Sequence, residues 1–202
     1  LWGVQKAASD FLKALPDGYQ VSVLGFNDEV FLAQDFTAAP RPLLYAVHQL
    51  RVEGETALFD AVRAASLHLR GRPERRAVVL FTDGQESIYG RDAEGEAKLR
   101  EALDAANLAE ATFFAIGYGG GLAADLLERI AADTGGKFFP AGPKLDLGRV
   151  YAEIASTLGS QYTLAYYPDP PPPPGEWRSL EVRVNRDGAA VRARRGYWAK
   201  RR

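Results

Sequence analysis

Cysteine and methionine are both absent from this 202-residue chain. Without cysteine there are no disulfides, no thiolate metal sites and no thiol nucleophile. Histidine is scarce. His48 and His68 are the only two, both fall in helical patterns, and no Gly-x-Ser-x-Gly elbow accompanies them, so the parts of a serine hydrolase are missing. No apolar run approaches the ~20 residues a helix needs to cross a bilayer. An excess of one charge is lacking too: 25 Lys and Arg against 26 Asp and Glu leave a formal net charge of −1, too little to steer a nucleic acid. Leu1 is no initiator, so the N-terminus reads as a cut or processed end, with room for a leader upstream.

What is present is ordinary globular material, 47% hydrophobic and 25% charged, in a length that suits one domain with or without an appendage. Val4, Ala8, Phe11, Leu12 and Leu15 recur at helical spacing and stop at Pro16-Asp17-Gly18. Tyr19 to Phe26 reads as a strand, with Val30 to Gln34 as a hairpin partner at the sheet edge. Leu43 to Leu50 and Leu58 to Leu69 carry helical patterns. Ala77 to Phe81 and Ala111 to Ile116 are continuous apolar runs of β-formers, the mark of strands covered on both faces. Helices follow over Leu99–Ala106, Leu122–Ile130 (closed by Gly135-Gly136) and Leu147–Leu158, with a short strand at Lys137–Phe139. Strands alternating with helices predict an α/β fold with a doubly wound, mostly parallel sheet over residues 1–160.

From Gln161 the pattern changes. Gln161 to Tyr167 alternates at period two and predicts a strand. Pro168 to Gly175 is a proline-rich loop, a stiff spacer before it is a ligand. Leu180–Val184, the turn Asn185 to Gly188 and Ala190–Arg194 predict a β-hairpin. Residues 161–202 are thus expected to form a C-terminal β extension. Its arginines alternate with apolar residues, as on the solvent face of an edge strand.

Two segments carry chemistry. Gly54-Glu55-Thr56-Ala57-Leu58-Phe59-Asp60-Ala61 opens a helix, and Val78-Val79-Leu80-Phe81-Thr82-Asp83-Gly84 ends a buried strand in an acidic turn. Taken singly, Thr56 is an ordinary helix cap and Asp83-Gly84 an ordinary turn. Doubly wound sheets, however, bind ligands beyond the carboxyl ends of their strands. The expected topology brings Thr56, Asp83 and Asn27 to one such rim. Gly117 to Gly121 also follows a strand but lacks the dinucleotide spacing and reads as a turn.

The two segments resemble the second and third metal-binding loops of von Willebrand factor type A (VWA) domains. The stretch from Tyr162-Thr163-Leu164-Ala165-Tyr166 to Arg195-Gly196-Tyr197 is similar to the C-terminal extension of bacterial VWFA-related proteins. The resemblance implies a Rossmann-like fold in which three loops hold one divalent cation, the first loop reading Asp-x-Ser-x-Ser after the first strand. It assigns Thr56 and Asp83 as metal ligands, for Mg²⁺ with Mn²⁺ or Ca²⁺ as substitutes. A protein ligand would complete the shell through a carboxylate. Asn27, Asp28, Gly84, Gln85, Glu86 and Ser87 form the partner-binding rim. Protein–protein interaction or adhesion is implied, extracellular, at the cell surface or periplasmic, and not enzymatic. The alternatives are a metal-independent scaffolding module and, third, a hydrolase.

The chain begins in what looks like the helix after the first loop, so the resemblance implies an N-terminal truncation. Two oxygens and one charge are a poor cage for Mg²⁺, which dehydrates reluctantly, so weak or no metal binding by this chain alone is expected. The strands around Val21 and Val79 would each expose backbone groups that cost about 1–3 kcal/mol apiece if buried unpaired. Three remedies are open: a preceding segment supplies a strand, the sheet closes up, or another chain donates one.

Overall fold

A computed structural model describes residues 2–51, 53–82, 86–90, 92–118, 123–141, 146–188 and 190–199. The N-terminal apolar pattern forms α1 (Trp2–Ala14). It leads into β1 (Val21–Phe26), which pairs antiparallel with β2 (Val30–Thr37) through a tight hairpin at Asn27-Asp28-Glu29. Next come α2 (Pro40–Gln49) and α3 (Leu58–Leu69). A three-stranded parallel sheet follows, in the order β3 (Arg76–Thr82), β4 (Ala111–Tyr118) and β5 (Phe138–Ala141). Its crossovers are α4 (Ala93–Leu108) and α5 (Ala124–Asp133), and α6 (Leu147–Ser160) follows β5.

The core forms on both faces of this sheet, as its apolar runs require. On one face Leu58 and Val62 of α3, Leu99 and Leu103 of α4 and Leu127 and Ile130 of α5 pack with Leu80 and Phe113. On the other, Val150, Tyr151 and Ile154 of α6 pack on Phe114, Ile116 and Phe139. A third cluster joins Val23 to Leu43, Ala46 and Val47 of α2. α5 ends in a Schellman motif: Gly136 N–H donates to Ala131 at 2.8 Å and Gly135, at φ +78°, donates to Ala132. That conformation is why glycine follows the helix.

The expected C-terminal β-hairpin is present, but its arms are not the expected segments. Residues 161–167 form no strand, and the expected hairpin segments 180–184 and 190–194 form no ladder. Instead β6 (Trp177–Ser179) pairs antiparallel with β7 (Gly196–Trp198), one step further out along the two arms. Alternation supplies strand propensity, but a strand exists only where a neighbour takes its backbone groups. Tyr162 and Tyr167 are accordingly 93% and 94% exposed. The β6–β7 hairpin is anchored to the α/β body. Trp198 Nε1 donates to Asp104 of α4 at 3.2 Å, Arg195 pairs with Asp133 at 2.7 Å, and Arg194 bridges to Thr134.

Candidate functional site

β1 and β3 end at the same place, and the chain between them is tied there. Past β1, the Asn27 carbonyl accepts a 2.8 Å hydrogen bond from Ala57 N–H. The Asp28 carboxylate accepts from Glu55 N–H, and Asn27 Oδ1 accepts from Glu29 N–H. Past β3, Ser87 holds Thr56 twice. Its Oγ accepts from Thr56 N–H at 2.7 Å, and its N–H donates to the Thr56 carbonyl at 3.1 Å. Both bonds use the backbone of Thr56 and not its hydroxyl. Gly54 makes the approach possible. It sits at φ +75°, and a Cβ there would overlap the Asp28 carboxylate.

The residue that organises the second loop is Glu86. One carboxylate oxygen accepts from Phe59 N–H at 2.9 Å, in the first turn of α3, and the other accepts from Ile88 and Tyr89 N–H at 2.8 and 3.3 Å. α3 has no side-chain cap of its own at Ala57, so Glu86 serves its positive end from a different loop. Tyr89 closes the other side, its hydroxyl donating to Asp60 at 2.8 Å. That hydrogen bond to the Asp60 carboxylate raises the Tyr89 phenol above its ordinary value. Gly95 in the first turn of α4 lies so close to the Gly90 carbonyl that a Cβ would overlap it.

Of the residues that the sequence placed here, Asn27, Asp28, Thr56, Glu86 and Ser87 come together on one rim. Asp83, Gly84 and Gln85 lie outside the described residues, as do Arg91 and Gly119 to Gly121. Among the described residues no group of three or more His, Cys, Asp or Glu side chains gathers as a metal cage. The rim is acidic nonetheless. Asp28, Glu29, Glu53, Glu55, Asp60 and Glu86 lie along it, with no Lys or Arg within residues 53–60 or 86–90. Lys98 stands at its border, its ammonium 5.5 Å from the Tyr89 ring centroid. The donors on hand, a threonine hydroxyl and carboxylates, are the hard oxygens Mg²⁺ and Mn²⁺ prefer.

The histidines lie elsewhere. His68 stacks on Phe36 with ring centroids 4.5 Å apart, and His48 is exposed near the end of α2. Sequence reasoning missed the two-sided grip of Glu86 and the Tyr89–Asp60 bond. A side chain reaching three N–H groups across 27 residues and along its own loop leaves no local signal.

Residues 1–85 match the family model described as von Willebrand factor type A domain. No curated protein sequence matches the chain. Among solved structures, a von Willebrand factor type A protein from Catenulispora acidiphila superposes with a TM-score of 0.66 at 18% identity, covering 78% of this chain but 38% of that one. This chain therefore spans well under half the length of that relative. BatB from Bacteroides thetaiotaomicron gives a TM-score of 0.62 at 15% identity over 79% of this chain and 88% of its own. An aerotolerance-related membrane protein from Bacteroides fragilis gives 0.62 at 13% over 78% and 87%.

Proposed function

We infer from the match of residues 1–85 to the von Willebrand factor type A family model and from the likeness of fold that this chain is a domain of that type, a protein-interaction module whose contact surface is the Thr56 rim. Domains of this family mediate protein–protein interaction. The observation that carries the assignment is the pair of hydrogen bonds between Ser87 and the Thr56 backbone. They hold Thr56 where the ends of two strands converge.

Thr56 and Asp83 hold a divalent cation here, Mg²⁺ by preference, with Mn²⁺ or Ca²⁺ as substitutes. The cation supplies a Lewis-acidic point to which the carboxylate of a protein ligand binds. Asn27, Asp28, Gly84, Gln85, Glu86 and Ser87 surround that point and read the rest of the partner. Two protein donors hold such an ion weakly. The role is adhesive or scaffolding and not enzymatic. We place the domain at the cell surface, outside the cell or in the periplasm. That placement draws on the membrane-protein description of the Bacteroides fragilis neighbour; no described helix is long and apolar enough to cross a membrane.

Calorimetric titration with Mg²⁺ and Mn²⁺ tests the assignment. Weak, saturable heat that disappears in Thr56→Ala and in Asp83→Ala supports it. The second reading is a metal-independent module using the same rim, favoured by the lack of a carboxylate cage among the described residues. It requires no heat with either ion.

A further inference from the structure

A second polar site lies at the end of the molecule opposite the Thr56 rim. β1 and β3 both run toward that rim, so the segments that precede them stand one strand length away, about 20 Å. There a cleft of about 300 Å³ opens between the α1–β1 connection, the far end of β2 and the α3–β3 connection. Asp17, Tyr19, Gln20, Arg72, Arg75 and Arg76 line it with polar groups, and Phe36 of β2 and Leu69 of α3 add apolar surface. The α3–β3 connection is strongly basic. Residues 70–76 hold four arginines and one glutamate.

Two of the three lining arginines are held in place by the protein. The Arg72 guanidinium lies over the Phe36 ring, 4.0 Å from its centroid, and its Nε faces Glu74 Oε2 at 3.5 Å. Phe36 is in turn stacked on His68. Stacking on an aromatic face fixes a guanidinium plane without using its terminal donors. Arg76 gives one terminal nitrogen to Glu110 at 2.8 Å. Its Nε is buried with no hydrogen-bond partner among the described residues. A buried donor left unmade is costly, so it marks a place where an acceptor belongs. Arg75 is exposed and has no ion pair among the described residues. Basic side chains beside a helix end ordinarily serve that helix's last carbonyls. Here backbone groups do part of that work: the N–H groups of Arg70 and Arg72 donate to the Leu67 and Leu69 carbonyls at 3.2 and 3.3 Å.

We infer that this cleft binds the phosphate monoester of a small sugar or polyol. A carboxylate is matched by a single guanidinium fork. A phosphate monoester carries three acceptor oxygens and a charge of about −1.5 to −2 at pH 7, which calls for donors from more than one arginine. Those donors are on hand. After their contacts with Glu74 and Glu110, Arg72 keeps its terminal fork, Arg76 keeps its Nε and Arg75 keeps every donor. The carboxylates of the cleft narrow the class further. Asp17 and Glu74 oppose a bare anion or a long polyanion, but they accept hydrogen bonds from hydroxyl groups. Asp17 has no ion pair among the described residues, and with the Gln20 amide beside it the two suit the hydroxyl-bearing carbons of the ester. The volume is at the small end for ligand sites and has room for one sugar ring beside the phosphate. This site is independent of the rim, and cation binding there can fail without affecting it.

The test is a titration of the isotopically labelled chain at about 0.15 M salt, where loose surface attraction is screened, following the arginine Nε–H signals. The probes are ribose 5-phosphate, ribose, inorganic phosphate, acetate and a short phosphoserine peptide. Ribose 5-phosphate should shift the Arg72, Arg75 and Arg76 signals together and to saturation. Inorganic phosphate should shift the same three with weaker affinity, and ribose and acetate should leave them in place. Arg75→Ala, at an exposed position where the urea midpoint should not move, should weaken ribose 5-phosphate at least ~10-fold. Arg72→Lys keeps the charge but loses the fork and should weaken it as well. Asp17→Ala should weaken ribose 5-phosphate without weakening inorganic phosphate. The absence of a saturable shift at these arginines overturns the inference, as does acetate binding as tightly as phosphate. Unchanged affinity in Arg75→Ala or in Arg72→Lys overturns it too. A phosphoserine peptide that binds more tightly than ribose 5-phosphate, or an Asp17→Ala variant that tightens both phosphates equally, overturns the sugar or polyol class.

Discussion

Ser87 grips Thr56 at both backbone groups, accepting from its N–H at 2.7 Å and donating to its carbonyl at 3.1 Å. This two-point contact joins the loop after β3 to the start of α3. Ser87→Ala removes one of the two bonds and leaves the other. At an exposed position that costs about 0.5–1.5 kcal/mol, read as a lower urea midpoint at unchanged slope. The larger effect is expected on the rim, where cation affinity drops with the loss of Thr56 placement. An unchanged titration would mean Ser87 does not position Thr56.

Gly54→Ala tests the other half of the rim. At φ +75° a side chain is strained, and its Cβ meets the Asp28 carboxylate, which must then release Glu55 N–H. A loss of about 1–3 kcal/mol is expected. Gly18→Ala, also at positive φ but with open space around it, serves as the control for strain alone and should cost less.

Glu86 separates charge from shape. Glu86→Ala frees three N–H groups, one of them in the first turn of α3. It should cost ~1.5–3 kcal/mol, as for hydrogen bonds to a charged group, and speed amide exchange at Phe59, Ile88 and Tyr89. Glu86→Gln keeps an acceptor for Phe59 or for the loop but not the charge, so it should lose about half as much. Equal losses would mean that the charge at the helix end, and not hydrogen-bond acceptance, carries the effect.

Alkaline stability should hinge on Tyr151. Burial pushes its phenol up to about 12 from an ordinary 10.0. The folded state holds this proton more tightly than the unfolded chain does. Its contribution is therefore full below pH 10 and is lost as the pH rises through 12, a fall on the order of 2–3 kcal/mol. Tyr151→Phe should flatten urea stability across pH 10–12 while keeping the stack on Phe11. A variant that falls as steeply as the parent would place the titration elsewhere.

Much of the α/β body was legible because its signals are local and doubled. Val78 to Phe81 and Phe113 to Ile116 are apolar on both faces, which suits only a covered strand, and Gly135-Gly136 announces the end of α5. The approach of Asn27 to the start of α3 beside Thr56 was legible through topology, since strand ends in such sheets share a rim, whereas Asp83, expected there too, lies outside the described residues. The Glu86 grip was not, because its partners are backbone groups on another element. Gln161 to Tyr167 was misread, as period-two alternation states a preference and pairing needs a neighbour. Tyr166 has one such contact, its hydroxyl meeting that of Tyr197 at 2.9 Å, and that is a side-chain bond that makes no ladder.

The central claim, a cation-guided contact surface at the Thr56 rim, is tested most directly by titrating Mn²⁺ into the isotopically labelled protein and following paramagnetic broadening of its amide signals. The account predicts that Asn27, Asp28, Thr56 and Ser87 broaden first and together, and that Thr56→Ala abolishes the effect. Broadening centred elsewhere, or broadening at the rim that survives Thr56→Ala, would contradict it.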